Sequence, residues 1–136
     1  MYNKILVPMA LDHGISDNTL AVAKALSGTD SQIIALHVYE APQGSVAAYL
    51  DKADVKAGIA RARADLAQKT DHLDGVTADL VTGHTYRSII DYASKHAIDC
   101  IVLGSHKPGL SDYLLGSTAA RVVRHAPCAV HVYRSS

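Results

Sequence analysis

The chain has 136 residues and contains neither tryptophan nor phenylalanine. Its aromatics are seven tyrosines, dispersed along the sequence, and they do not form a platform on which nucleic-acid bases could stack. It also lacks a net charge, because thirteen Lys and Arg balance thirteen Asp and Glu. A protein that tracks a phosphate backbone normally carries a basic stripe, so nucleic acid is not an expected partner. There are only two cysteines, Cys100 and Cys128. Both lie in apolar, strand-like runs and read as small core residues in a reducing compartment rather than as a disulfide. Neither they nor the eight histidines fall in a metal-ligand spacing, so no metal site is expected. No apolar run approaches the length that spans a bilayer, and no N-terminal segment has the parts of a signal peptide. The expected location is the cytoplasm, without membrane contact.

What is present is a regular alternation of two periodicities. Apolar residues make up 49% of the chain, enough for a core, and the length suits one domain over residues 1–136 that buries roughly two-thirds of its unfolded surface. Residues 4–7 (KILV) form a short β-rich run closed by Pro8. Ile15, Thr19, Val22 and Leu26 follow at helical spacing, with Ser16 or Asp17 as a cap and Gly28 as a stop. Residues 32–39 (QIIALHVY) are nearly continuous in apolar character, as in a strand covered on both faces. Val55, Ile59, Ala62 and Leu66 mark a second helix, with Arg61, Arg63 and Asp65 on its wet side. A third strand spans 76–81. Tyr86, Ile89, Ile90 and Ala93 mark a third helix ending near His96. Residues 100–103 form a fourth strand, Ala119, Val122, Val123 and Ala126 a fourth helix, and 128–133 a fifth strand.

Strands alternating with helices give an α/β fold: a single doubly wound, five-stranded parallel sheet with helices on both faces, Rossmann-like, in strand order 3-2-1-4-5. In such sheets ligands bind beyond the carboxyl ends of the strands, where the strand order reverses. Residues 8–14, 38–40 and 104–118 meet there.

The last of these segments, GSHKPGLSDYLLGST, holds the chemistry. A strand ends on Gly104, a polar loop follows, and Gly116-Ser117-Thr118 opens a helix. Exposed N–H groups and hydroxyls at a helix start favour an anion, typically phosphate. Lys107 adds a point charge suited to a terminal phosphate. The plainer alternative is that Gly104-Ser105 turns the chain and Ser117 caps a helix.

The ILVP opening, the LHVY second strand and this loop together resemble the universal stress proteins, in particular their small, nucleotide-binding branch. The resemblance runs along the whole chain. Gly104 and the pair Gly116-Ser117 match the family's loop glycines, whereas Lys107 stands at the middle glycine and the loop is one residue short. The resemblance implies ATP as ligand, with Mg²⁺ as its companion. Pro8, Met9 and Ala10 would line the nucleoside side. Val38 would meet the adenine edge through its backbone, and Leu103 would pack on the base or ribose. Gly104, His106 and Lys107 would face ribose and phosphates, and Gly116, Ser117, Thr118 and Ala119 would hold phosphate oxygens. Ala10 occupies the place of the family's usual aspartate, with Asp12 as the substitute. The resemblance also implies a homodimer through the last strand, from Cys128 to Tyr133, or a dimer of such dimers. The expected role is a nucleotide-responsive stress or regulatory protein. The alternatives are a partner-binding scaffold without nucleotide and a slow ATPase.

Several other features carry plain readings. His37 and His131 are strand residues with ordinary hydrogen bonds. Asp12-His13 reads as a turn, because no serine or cysteine nucleophile motif accompanies it. Asp51 and Asp54 are solvated charges at a helix start. The long connection 40–53, with Val46, Tyr49 and Leu50, reads as a loop carrying a short helical turn, the alternative being a cover over the nucleotide or a partner contact.

Overall fold

The computed structural model describes residues 1–11, 16–40, 51–105 and 116–134. In these the elements are β1 (Tyr2–Pro8), α1 (Ser16–Leu26), β2 (Ser27–Tyr39), α2 (Lys52–Thr70), β3 (Val76–Thr82), α3 (Thr85–Lys95), β4 (Cys100–Gly104), α4 (Ser117–His125) and β5 (Ala129–Tyr133). Ile5, Leu6 and Val7 of β1 are all fully buried. Successive strand side chains point to opposite faces, so three buried residues in a row need cover on both sides. That puts β1 in the middle of the sheet. The observed order is β3-β2-β1-β4-β5, with every pairing parallel, as expected from the sequence.

Each face has its own core. On one, Ile5, Val7, Ile33, Ala35, Cys100 and Val102 pack against Leu20 and Ala23 of α1 and Ala62 and Leu66 of α2. On the other, Leu6, Ile34, Leu36, Ile101 and Leu103 pack against Ile89, Tyr92 and Ala93 of α3 and Ala119 and Val122 of α4. Burying each larger aliphatic side chain contributes about 1.5–3 kcal/mol, so both helix pairs are held mainly by this packing. Arg61, Arg63 and Asp65 face solvent on α2, as its stripe predicts. Asp51 is the N-cap of α2, its carboxylate accepting from the Asp54 N–H at 2.9 Å.

Some boundaries differ from the sequence reading. β2 starts five residues before the apolar run, because Ser31 Oγ donates to the Tyr2 carbonyl at 2.5 Å and accepts from the Gly28 N–H at 2.7 Å. These polar links hold an exposed stretch beside β1, and hydrophobic patterning cannot register them. Gly28 therefore lies within β2, and α1 stops before it. Ser16 and Asp17 fall inside the first turn of α1 rather than at its cap, where Asp17 complements the helix dipole. β5 begins at Ala129, one residue after Cys128. Both cysteines are free: Cys100 packs on the α1/α2 face and Cys128 against the α3/α4 face, with the sheet between them. Burial pushes the Cys100 thiol up to about 11, so at neutral pH it is an inert core group.

Candidate functional site

Pairing between β1 and β4 consists of Ile5 with Cys100 and Leu6 with Ile101, and no further residue pairs join the two strands. Pro8 has no N–H with which to extend the ladder. On its other side β1 stays paired with β2 as far as Pro8 opposite Leu36. The split between β1 and β4 is the point at which strand order reverses, and it is where a doubly wound sheet binds ligands.

The described parts of the three expected segments lie at this end of the sheet. Residues 8–10 leave β1, Val38 lies near the end of β2, Leu103 and Gly104 end β4, and residues 116–119 open α4. Met9 is buried on the α1/α2 face, whereas Val38, Leu103 and Ala119 share the core on the α3/α4 face. Ala10 and Ser117 are exposed, and Pro8, Gly104, Gly116 and Thr118 are half-buried. Asp12, His106 and Lys107 lie outside the described residues, as do Asp12-His13 as a turn and Val46, Tyr49 and Leu50.

The exit from β4 and the entry to α4 are tied together. The Ser105 N–H donates to the Tyr133 carbonyl at 2.8 Å, and Ser105 Oγ accepts from the Gly116 N–H at 3.4 Å. Gly116 is the N-cap, with φ −61° and ψ 156°, a backbone any residue adopts. Among the described residues, nothing lies within 4 Å of where a Gly116 Cβ would stand. The first turn of α4 is capped by no side chain of its own N-cap residue. The N–H groups of residues 117–119, with the Ser117 and Thr118 hydroxyls, are the groups available to an anion.

The end of β2 presents a second set of polar groups. The Leu36 carbonyl accepts from the Met9 N–H at 2.8 Å, and the Tyr39 carbonyl accepts from the Gly83 N–H at 3.1 Å. Peptide groups alternate in direction along a strand. Those of Leu36 and Val38 thus face β1, and those of His37 and Tyr39 face β3. At Val38, β1 has already ended. The Met9 carbonyl, which would accept the next rung from the Val38 N–H, is instead 2.8 Å from Nδ1 of His37. A carbonyl only accepts, so Nδ1 carries the hydrogen and donates it.

Two contacts near the site escaped sequence reasoning. Glu40 Oε1 accepts from both the N–H and the hydroxyl of Thr85, which opens α3. These bonds hold the Glu40 carboxyl below its ordinary value. His37 tethers Met9 across 28 residues. Local pattern carries no signal for either, because each joins side chain and backbone across separate elements. Among the described residues no group of three or more His, Cys, Asp or Glu could hold a metal ion. No described helix is long and apolar enough to cross a membrane.

Comparison with known proteins bears on this arrangement. The universal stress protein family model matches residues 1–134. A universal stress protein of Methanothermobacter thermautotrophicus is 26% identical over 152 aligned positions, covering 99% of this chain and 97% of its own. The structure of UspA from Lactobacillus plantarum superposes with a TM-score of 0.79 at 26% identity, covering 98% of each chain. A universal stress protein solved in complex with cAMP superposes with a TM-score of 0.71 at 24% identity, covering 99% of each. With the family model matching residues 1–134 and the sheet order in agreement with these structures, the chain belongs to the universal stress protein family.

Proposed function

We propose that this protein binds an adenine nucleotide, ATP in the first instance, across the carboxyl ends of β1, β2 and β4, and works as a nucleotide-responsive regulatory homodimer. The observation that carries the proposal is the first turn of α4 beside the β1/β4 split, where no cap side chain takes the N–H groups and no described residue would meet a Gly116 Cβ within 4 Å. A phosphate there gains from several oriented N–H donors and from the helix dipole. Ser117 and Thr118 supply hydroxyls to its oxygens. The outward peptide of Val38 offers a donor and an acceptor of the kind an adenine edge requires, and Leu103 lies on the same core face. Pro8, Met9, Ala10 and Gly104 border the nucleoside, and Asp12, His106, Lys107 and Ala119 complete the proposed set. Mg²⁺ enters this proposal on the triphosphate, as it commonly does, since it tends to keep phosphate and water ligands. The cAMP carried by the relative described above supports a nucleotide of this class.

The proposed dimer joins two copies of β5. Among the described residues that strand pairs only with β4 and is one of the sheet's two edges, and an exposed edge invites pairing.

Ala10 favours a second reading, a partner-binding scaffold that holds no nucleotide, because the family's usual aspartate is missing there. One experiment separates the two. Freshly purified protein is denatured and its small molecules are chromatographed, and stripped protein is then titrated with ATP and Mg²⁺ in a calorimeter. Co-purified adenine nucleotide or a saturable heat supports the binding site. Absence of both refutes the nucleotide site and favours the scaffold.

A further inference from the structure

We infer that His37 is a positioning residue that keeps the Val38 peptide free for a ligand base, by drawing the Met9 carbonyl out of the β1–β2 ladder. The inference rests on the adenine-nucleotide reading for the identity of the ligand, but its structural half stands alone. In a regular parallel ladder the residue that donates to one strand position accepts from the position two further on. Met9 donates to the Leu36 carbonyl, so its own carbonyl is the natural acceptor for the Val38 N–H. The His37 ring takes that acceptor instead, at 2.8 Å. His37 follows Ile33 and Ala35 along β2, and both lie in the α1/α2 core. Its ring therefore rises on that face and turns the Met9 carbonyl out of the sheet plane. The buried Met9 side chain, on the same face, fixes the peptide in that orientation.

The consequence is a strand that ends one rung early on one side. Val38 keeps its register with Val81 of β3, so it stays rigid while its other edge, past the last β1–β2 pair of Pro8 with Leu36, has no strand partner among the described residues. A donor and an acceptor held in this way discriminate a base with a complementary edge from a bare phosphate compound. If a non-donating side chain replaced the ring, the Met9 carbonyl could return to the Val38 N–H and close the edge.

Amide hydrogen exchange followed by NMR tests this on the whole chain. In nucleotide-free wild-type protein the Val38 amide should exchange at least about tenfold faster than the Leu36 amide. In His37→Leu it should slow toward the Leu36 rate, and in His37→Asn, which keeps an N–H donor near the Nδ1 position, it should stay fast. Added AMP should slow Val38 in the wild type. In a calorimeter His37→Leu should weaken AMP about tenfold or more while leaving tripolyphosphate binding unchanged. Slow exchange of Val38 in the free wild-type protein overturns the inference without recourse to any variant, and so does an unchanged rate in a folded His37→Leu. A fast Val38 amide that AMP leaves untouched upholds the role of His37 in ending the ladder and refutes the adenine reading.

Discussion

The carboxylate of Glu40, the residue immediately after β2, accepts hydrogen bonds from both the N–H of Thr85, at 2.9 Å, and its hydroxyl, at 2.5 Å. His84, the N-cap of α3, makes no side-chain cap bond itself, so Glu40, 45 positions before Thr85, does the capping. The pair pins the end of β2 to the start of α3 at the carboxyl end of the sheet.

That link makes a pH prediction. The Thr85 side-chain and backbone bonds lower the Glu40 carboxyl below its ordinary 4.5. A depressed acid contributes stability above its unfolded pKa, and the contribution is lost as pH falls through the folded value. Glu40→Gln should therefore lower the urea midpoint at pH 7 and should differ little from wild type at pH 3. Loss of a cap typically costs about 0.5–2 kcal/mol, and the exposure of Glu40 puts it at the low end. An equal deficit at both pH values would show that charge has no part in the bond.

How much of this was legible beforehand follows from range. The parallel α/β sheet came from the alternation of β-rich runs such as residues 4–7 with helical stripes such as Val55-Ile59-Ala62-Leu66, in which each residue reports on its own neighbours. The glycine-bounded loop likewise announced Gly104 and Gly116 by their composition. Ser31 on the Tyr2 carbonyl, Glu40 on Thr85 and His37 on Met9 were silent, because each bond depends on how two separate elements meet. His37 could be assigned an ordinary strand hydrogen bond from sequence. That the bond goes to the strand end bordering the candidate site needed coordinates.

Gly116 gives the sharpest test of the phosphate end. Its φ of −61° suits any residue, and a Cβ there would meet no described residue within 4 Å. Gly116→Asp also introduces a good N-cap, worth a few tenths of a kcal/mol over glycine. The melting temperature should be equal to or slightly above that of wild type. ATP affinity should fall at least about tenfold, since a fixed carboxylate repels phosphate and occupies the same N–H groups. Retained affinity in a folded Gly116→Asp protein would move the phosphates away from α4.

Tyr39 and Gly58 form a second close pair, on the α2 side. A Cβ on Gly58 would overlap the Tyr39 hydroxyl and come within 3.2 Å of its Cζ. Alanine in place of an interior helical glycine normally gains up to about 1 kcal/mol. Here the Tyr39 ring must move, and such overpacking costs about 1–3 kcal/mol. Gly58→Ala should therefore lower the melting temperature, and the loss should be smaller in a Tyr39→Phe background, which removes the overlapping hydroxyl but keeps the Cζ contact. Additive effects in a double-mutant cycle would contradict the contact.

The proposed dimer edge can be cut without disturbing the sheet. Tyr133 directs its carbonyl to the Ser105 N–H of its own chain, so by alternation Val132 turns its peptide away from β4. Proline at position 132 removes an outward donor and leaves the β4–β5 ladder its bonds, which is why edge strands tolerate proline. Wild-type protein should sediment at twice the 14.4 kDa chain mass. Val132→Pro should sediment as a monomer with an unchanged far-ultraviolet circular dichroism spectrum. A dimer that survives Val132→Pro would place the contact elsewhere on the surface, and a monomeric wild type at tens of micromolar would remove it altogether.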